Sequence, residues 1–356
     1  MNGRLERLSH TLPDNGTAAL IKADHHLCYL TGFPSGDSYV LVTREASYFL
    51  TDFRYIELAE QTVSGAQCRC ITRLSETVGE LLAHHGIGTL CLEAEACSAA
   101  FVERLRAALP QVTVDVSSRL DEWLSEMRAV KDGTEIDKIL QAQALTEDGF
   151  DHVLSYIREG MTEREIALEL EFYMRKRGAQ RVAFDFIVVS GANTSLPHGI
   201  PTDKPVRLGD FITMDFGAVV DGYHSDMTRT VAIGAVSEEQ RLVYDTVLAA
   251  QRAALSTLRA GLPCCDGDAA ARRVIETAGY GDSFGHATGH GVGVQIHEAP
   301  RLSAAEKRPL TVGQVVTVEP GIYLAGRFGV RIEDMVVIEE GGCRNLTSAP
   351  KELICL

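Results

Sequence analysis

The sequence lacks the features of a membrane protein and of a disulfide-stabilised secreted domain. No stretch is apolar over the roughly eighteen residues that a membrane-spanning helix needs, and the first residues contain no apolar signal core. The nine cysteines are scattered, and close pairs such as Cys68 and Cys70 have neither zinc-finger nor redox spacing. We therefore expect a cytoplasmic protein with reduced cysteines and no membrane contact.

Positive charge is also scarce. The 34 lysines and arginines are outnumbered by 49 aspartates and glutamates, which gives a net charge of −15. This balance opposes phosphate binding, so we expect no nucleic-acid partner. The content of 45% apolar and 23% charged residues is typical of a globular protein, and 356 residues are enough for two domains.

Residues 1–125 have the pattern of a small α/β domain with short apolar strands. His25 and His26 lie in a segment predicted to be extended, where adjacent side chains point to opposite faces, so we expect surface or structural roles for them. The sequence becomes mixed and charged over residues 121–133, and we place the domain boundary there.

Residues 126–356 show two helices followed by a strand hairpin, and this order is repeated. Capping pairs predict where three of the helices begin: Thr134 with Asp137, Thr162 with Glu165, and Ser237 with Gln240.

Two stretches of this second domain, Leu208–Gly217 and Val312–Gly321, align residue for residue. In each stretch a turn glycine precedes an alternating apolar strand that delivers a carboxylate, Asp215 in the first and Glu319 in the second. Each stretch then enters another strand with a further acid. The repetition indicates two related halves that present two carboxylates each.

In the first copy, Asp221 and Gly222 form the two-residue turn signal of a hairpin. Such a turn places Gly217 opposite Asp226, with Asp215 diagonal to it on the same face. We expect the missing side chain of Gly217 to leave space for a cation between the two carboxylates.

In the second copy, Glu319 and Glu333 lie on strands joined by a turn through Gly326 and Gly329, which also puts both acids on one face. Four carboxylates in an apolar core are either protonated or bound to metal, and we favour metal. Oxygen-rich ligation suits Mn²⁺, Co²⁺ or Fe²⁺ better than a thiolate zinc site. Two such ions can activate water and polarise a carbonyl, which points to amide hydrolysis.

Four histidines accompany these acids. His286, His290 and His297 lie in GHATGHGVGVQIHEAP, whose glycines favour a bent or bulged extended strand over a helix. His198 lies on a proline-bracketed loop before Asp215. Each histidine alone is more typical of a structural role, but four of them in one domain with the paired acids indicate a functional site.

These residues resemble a known pattern. Residues 126–356 are similar to the pita-bread metallopeptidases, the family of methionine aminopeptidase, aminopeptidase P and prolidase, in the motifs MDFGAVVDGYHSDMTRT, GHGVG, VEPGIY and RIED. Residues 1–125 resemble the N-terminal domain of the last two enzymes and of creatinase. The resemblance implies an α/β protein with a creatinase-like N-terminal α/β domain and a pseudo-two-fold pita-bread α+β catalytic domain.

The resemblance also implies roles for individual residues. Two divalent ions, with Mn²⁺ expected first and Co²⁺, Fe²⁺ or Zn²⁺ as alternatives, would be held by Asp215, Asp226, His290, Glu319 and Glu333. The catalytic positions would be His198 and His297, which bind substrate and stabilise the tetrahedral intermediate, and Glu319, which handles the proton of the attacking water. The substrate-binding positions would be His286, Tyr323 and Arg331.

The resemblance implies cleavage of the bond before proline in short proline-containing peptides by a homodimer. We expect an Xaa-Pro aminopeptidase, which releases the N-terminal residue, with an Xaa-Pro dipeptidase (prolidase) as the alternative. A dipeptidase needs a cation for the free proline carboxylate, and the sequence offers Arg301, Lys307 and Arg308 without placing any of them. A methionine aminopeptidase is less expected, because that branch usually lacks the additional N-terminal domain. The remote alternative is a non-catalytic peptide-binding module, which the presence of all five ligands disfavours.

Overall fold

The computed structural model describes residues 2–33 and 36–356. The chain separates into two compact units, Met1–Arg128 and Ala129–Leu356, and both combine helices with β-sheet. Across the described residues, no helix is both long and apolar enough to span a bilayer.

The first unit is built on a single six-stranded sheet. Its strands are β1 (Thr17–Ile21), β2 (Tyr39–Val42), β3 (Ser47–Thr51), β4 (Gln67–Cys70), β5 (Thr89–Leu92) and β6 (Thr113–Asp115). Its helices are α1 (Asn2–Thr11), α2 (Asp24–Thr31), α3 (Ile56–Thr62), α4 (Leu74–His84), α5 (Ala99–Ala108) and α6 (Arg119–Ala129). The strand order is β4-β3-β2-β1-β5-β6, and every residue of the inner strand β1 is buried.

The segment that contains His25 and His26 is helical, so the prediction of an extended strand was wrong. Both residues lie in α2, which ends at Gly32 in the left-handed conformation with φ of 77°. Ala23, at the start of α2, makes no side-chain capping bond, so the usual sequence signal for a helix start is missing. His26 is buried and its Nδ1 contacts the carboxylate of Glu93, which gives it a structural role.

The second unit contains four long helices: α7 (Gly133–Tyr156), α8 (Glu163–Lys176), α9 (Glu238–Thr257) and α10 (Cys264–Thr277). The predicted capping boxes at the starts of α8 and α9 are confirmed, with Thr162 and Ser237 at the N-cap positions. The predicted cap of α7 was wrong, because Asp132 and Glu135 form its capping box. Thr134 was a plausible N-cap by residue type, but Asp132 two positions earlier accepts the Glu135 N–H.

The strands of this unit form several small sheets around one site. They are β7 (Arg181–Val182), β8 (Ile187–Ser190), β9 (Phe211–Phe216), β10 (Ala218–Val220), β11 (Tyr223–His224), β12 (Met227–Ala232), β13 (Gly289–Gly291), β14 (Glu298–Leu302), β15 (Val315–Val318), β16 (Gly321–Leu324), β17 (Phe328–Arg331), β18 (Asp334–Glu339) and β19 (Gly342–Asn345). The sheet orders are β12-β9-β8, β11-β10-β7, β14-β13-β15-β18-β19 and β16-β17. Two helices precede the strands in each half, as the repeated sequence pattern predicted.

Two apolar clusters hold these strands in place. One joins α7 and α8 to β9 through residues such as Phe150, Leu170 and Met214, and the other joins α9 and α10 to β15 and β18. Each fully buried large side chain contributes about 1.5–3 kcal/mol of transfer free energy. The strands that carry the candidate ligands are therefore fixed from behind by packed helices.

Candidate functional site

The first pair of candidate ligands lies on a hairpin with the predicted turn. Asp221 and Gly222 both have positive φ, 48° and 81°, as a two-residue turn of this kind requires. The hairpin register pairs Asp215 with Thr228. The side chains of Asp215 and Asp226 both reach the same cavity, so the predicted common face is confirmed.

The role expected of Gly217 was wrong. A Cβ atom at this position would overlap the backbone carbonyl of Ser225, so there is no empty space beside it. The glycine instead allows the backbones of the two strands to approach closely. Residue pairing could be predicted from the turn length, but the close approach of the Ser225 carbonyl to Gly217 could not.

The second pair of candidate ligands lies on the corresponding hairpin of the second half. The register pairs Val318 with Asp334 and Gly321 with Arg331, and Glu319 and Glu333 lie between these pairs on facing chains. Both glutamates line the cavity that Asp215 and Asp226 reach.

Thr228 connects the two halves at this point. Its Oγ1 donates to Glu333 Oε2 at 2.7 Å, and its carbonyl accepts the Glu333 N–H at 3.1 Å. The hydroxyl also accepts a bond from Arg331 Nε at 3.1 Å. Thr228 therefore belongs to the first hairpin but orients a carboxylate of the second.

His290 lies on the predicted bulged strand. The pairing of β13 with β14 shifts register between His290 and Gly291, which confirms the predicted irregularity. His290 Nδ1 donates to the Gly291 carbonyl at 3.1 Å, so Nε2 points toward the acids. Nε2 lies 3.3 Å from Glu319 Oε1 and 3.5 Å from Asp226 Oδ2.

Burial and the neighbouring charges strongly shift the pKa values of the four carboxyl groups. Burial raises the pKa of Asp226 and Glu333 well above the ordinary values, and neighbouring carboxylates add to the effect. Burial also raises the pKa of Asp215, although Arg331 opposes the rise. Burial acts in the same direction on Glu319, but the adjacent His290 lowers the pKa of this carboxyl to about 2. Several ionised carboxylates in this setting need a compensating cation.

The donor set fits divalent metal. Oxygen or nitrogen atoms of Asp226, His290 and Glu333 lie within 4.8 Å of one another. Asp215 Oδ1 is buried and has no hydrogen-bond partner among the described residues. Carboxylates with one imidazole form a hard, oxygen-rich set, which suits Mn²⁺, Fe²⁺ or Co²⁺.

A hydrogen-bonded chain supports this set from behind. Arg331 Nη2 donates to Asp215 Oδ2 at 2.6 Å, and Nη1 donates to the Tyr323 hydroxyl at 2.9 Å. His286 Nδ1 donates to the Ala287 carbonyl, which leaves Nε2 to accept from the Tyr323 hydroxyl at 2.8 Å. Arg331 and His286 line the cavity, whereas Tyr323 lies behind them.

The cavity has a volume of about 650 Å³ and brings the predicted residues together. All five candidate ligands line it, as do His198, His286 and His297. Its remaining wall is largely apolar and includes Phe184, Phe186, Ile187, Ile200 and Ile296. A cavity with apolar walls and convergent polar groups is typical of a small-ligand site.

The structure separates the three basic candidates that the sequence could not separate. Arg301 lines the cavity and lies opposite His290 in the β13–β14 pair. Lys307 and Arg308 do not line it, and Arg308 pairs with Glu306 at 2.6 Å. Arg301 is identified by its pairing with His290 on the neighbouring strand. This pairing depends on the bulge, so it could not be predicted from sequence spacing.

Comparison with known proteins gives the class of this site and fold. Residues 137–340 match Metallopeptidase family M24, and residues 4–130 match the Creatinase/Prolidase N-terminal domain. The chain belongs to metallopeptidase family M24. The pita-bread fold and the metallopeptidase class predicted from the sequence are therefore confirmed.

Individual relatives cover nearly the whole chain. The chain is 34% identical to the Xaa-Pro dipeptidase of Pyrococcus horikoshii, over 99% of both proteins. It is similar to the structure of an Xaa-Pro dipeptidase from Bacillus anthracis, with 38% identity, a TM-score of 0.95 and 99% coverage of both chains. It is also similar to the structure of an X-Pro aminopeptidase from Thermotoga maritima MSB8, with 39% identity, a TM-score of 0.92 and coverage of 99% of this chain and 100% of the other.

Proposed function

We propose that this protein is an Xaa-Pro dipeptidase that hydrolyses the bond before a C-terminal proline. The observation that carries the proposal is the position of Arg301 in the cavity that holds the candidate ligands and histidines. A dipeptide substrate ends in a free carboxylate directly after the scissile bond. A guanidinium near the ligands can bind that carboxylate through two parallel hydrogen bonds.

The surroundings of Arg301 support this role. Within residues 2–33 and 36–356, its side chain makes no hydrogen bond or ion pair with the protein, whereas the guanidinium of Arg308 is held by Glu306. Arg301 is exposed, so binding a substrate carboxylate does not require breaking an internal contact. The similarity to Xaa-Pro dipeptidases over nearly the full chain points the same way.

The Xaa-Pro aminopeptidase preferred from the sequence is the second candidate. That preference depended on the lack of a placed cation, whereas Arg301 lines the cavity and is the cation that we propose for the carboxylate. The similarity to the X-Pro aminopeptidase of Thermotoga maritima keeps the second candidate in consideration.

The proposed enzyme uses two divalent ions, with Mn²⁺ as the expected metal. Their ligands would be Asp215, Asp226, His290, Glu319 and Glu333. Such ions supply Lewis-acid activation of water and of the scissile carbonyl. In this proposal Glu319 holds the proton of the attacking water, and His198 and His297 contact the peptide; all three residues line the cavity. We further propose that the protein is a homodimer, which sedimentation would test. We also propose that it is cytoplasmic, which cell fractionation would test.

Hydrolysis of a short peptide panel tests the function. Protein stripped of metal and refilled with Mn²⁺, Co²⁺ or Zn²⁺ is assayed on Ala-Pro, Ala-Pro-Ala and Met-Ala-Ser. A carboxylate–arginine contact should give Ala-Pro at least about a tenfold advantage in kcat/KM over Ala-Pro-Ala. The reverse preference would support the aminopeptidase, and failure to cleave either proline peptide would overturn both candidates.

A further inference from the structure

The loop that carries His198 connects the end of β8 to the strand β9 that ends in Asp215 and Phe216. It begins with a short 3₁₀ turn over Gly191–Ser195. His198 itself is exposed, so its direction toward the cavity depends on the backbone around it. The residues that fix this backbone therefore decide where the imidazole lies.

Glu163, the first residue of α8, is completely buried and binds this loop on both sides of His198. At the start of the loop, its Oε1 accepts from the Ser190 N–H at 2.7 Å and from Ser190 Oγ at 2.9 Å. Beyond His198, its Oε2 accepts from the Thr202 N–H at 3.0 Å and from Thr202 Oγ1 at 2.6 Å. One carboxylate thus holds together two points that flank His198 in the chain.

A further bond, from Asn193, links Glu163 to the residues just before His198. Asn193 Nδ2 donates to Glu163 Oε1 at 3.0 Å. The Asn193 carbonyl accepts the Leu196 N–H, and the Leu196 carbonyl accepts the Gly199 N–H, both at 3.0 Å. The second of these turns, from Leu196 to Gly199, contains His198. An unbroken path of hydrogen bonds therefore runs from Glu163 to the residue after the histidine.

The chemistry of the anchor requires a carboxylate. The backbone N–H groups of Ser190 and Thr202 can only donate, and one of them faces each oxygen of Glu163. A glutamine would present an NH₂ group to one of these donors in either orientation. A buried donor facing another donor loses its hydrogen bond, so the loop must shift.

We infer that Glu163 is a positioning residue that fixes His198 toward the cavity. The inference rests on the proposed function, in which His198 contacts the peptide. Glu163 does not line the cavity and is not one of the candidate metal ligands. Any effect that it has on turnover must therefore come from the position of the loop. The simpler alternative is that Glu163 only stabilises the fold at the start of α8.

A double-mutant cycle separates these two roles. The variants Glu163→Gln, His198→Ala and the double variant are prepared as metal-loaded enzyme and assayed on Ala-Pro. Displacement of a substrate-contacting group typically costs up to about 100-fold, so Glu163→Gln should lower kcat/KM by about 10- to 100-fold. In the His198→Ala background the same change should cost less than about twofold, because the group that it positions is already gone. In a His297→Ala background it should keep its full effect.

Hydrogen exchange gives a readout that does not depend on activity. Glu163→Gln should raise amide exchange in residues 191–201 while exchange in α9 and α10 stays as in the wild type. The matched control is Glu165→Gln, two residues further along α8, which makes the same change at the exposed capping partner of Thr162 and should leave kcat/KM and loop exchange unchanged, because a glutamine at this position can still accept the Thr162 N–H. If Glu163→Gln does not fold, Asn193→Ala decides the question, because it removes the side-chain bond between residue 193 and Glu163 and leaves the Ser190 and Thr202 bonds in place. It should lower kcat/KM in the wild-type background and not in the His198→Ala background, and equal losses in both would overturn the positioning role.

Equal losses in the wild-type and His198→Ala backgrounds would overturn the positioning role. So would uniformly raised exchange, or a His198→Ala variant with full activity. Failure of the proposed function would look different, because the wild-type enzyme itself would then not cleave Ala-Pro.

Discussion

Arg331 Nη2 donates to Asp215 Oδ2 at 2.6 Å, while Oδ1 of the same carboxylate is buried without a hydrogen-bond partner among the described residues. One oxygen is thus fixed by the protein and the other remains available to a cation. The guanidinium both neutralises part of the charge on Asp215 and sets the direction of its free oxygen.

Replacing Arg331 by methionine should therefore weaken metal binding. Loss of a group that orients a ligand typically costs about 10- to 100-fold in affinity, which titration calorimetry of the stripped protein would measure with Mn²⁺. The control is Arg327→Met, because Arg327 is exposed and pairs with Glu239. Unchanged Mn²⁺ affinity in the Arg331→Met variant would show that Asp215 is oriented by other contacts.

Metal removal should destabilise the protein, and Asp226→Asn should partly reverse this effect. The pKa of Asp226 is raised well above its usual range by burial and by Glu333, so its ionised form is unfavourable when no cation is bound. We expect the metal-free variant to melt at a higher temperature than the metal-free wild type, while it loses most activity when metal is restored. Differential scanning calorimetry with and without chelator checks the first expectation, with the exposed Asp245→Asn as the control. A lower melting temperature for metal-free Asp226→Asn would contradict the proposed charge repulsion.

His297→Ala should lower kcat by about 10²- to 10³-fold, the usual cost of losing a donor to a developing oxyanion. His297 is exposed, and its ring lies 4.4 Å from the His290 ring. A packing residue would show the opposite balance, with a clear fall in Tm and a modest kinetic loss. Steady-state kinetics and thermal melting of the same preparation distinguish the two.

Arg301→Leu should raise KM for Ala-Pro by about 10- to 100-fold, the value of one charged hydrogen-bonded contact. The amide Ala-Pro-NH₂ has no carboxylate, so its KM should be nearly the same for both proteins. Arg308→Leu is the matched control, because its guanidinium binds Glu306 and does not line the cavity. An equal rise in KM for the acid and the amide would mean that Arg301 does not read the carboxylate.

The parts of the structure that follow local rules could be predicted from the sequence. The turn at Asp221 and Gly222 depends on two adjacent residues with positive φ. The capping box of Thr162 and Glu165 depends on residues within one helical turn. The candidate ligands could be predicted because paired carboxylates recur in both halves of the repeat.

The parts that depend on tertiary contacts could not be predicted. Gly217 is required because a Cβ atom there would overlap the backbone carbonyl of Ser225, a close approach that residue pairing does not show. The helix at His25 and His26 has no capping side chain at its start. Glu163 lies in an ordinary capping sequence, and its hydrogen bonds go to residues far along the chain. The deciding partners of Glu163 are distant in sequence, so no local pattern shows them.

The bonds between Thr228 and Glu333 have a consequence for how the enzyme loses activity on heating. The two halves of the repeat each hold only part of the ligand set, and these bonds lie along the seam between them. A small separation along that seam would pull the metal-binding oxygens apart while each half kept its own helices and hairpins. Activity therefore depends on the contacts between the two halves. On heating, it should be lost at a lower temperature than the secondary structure.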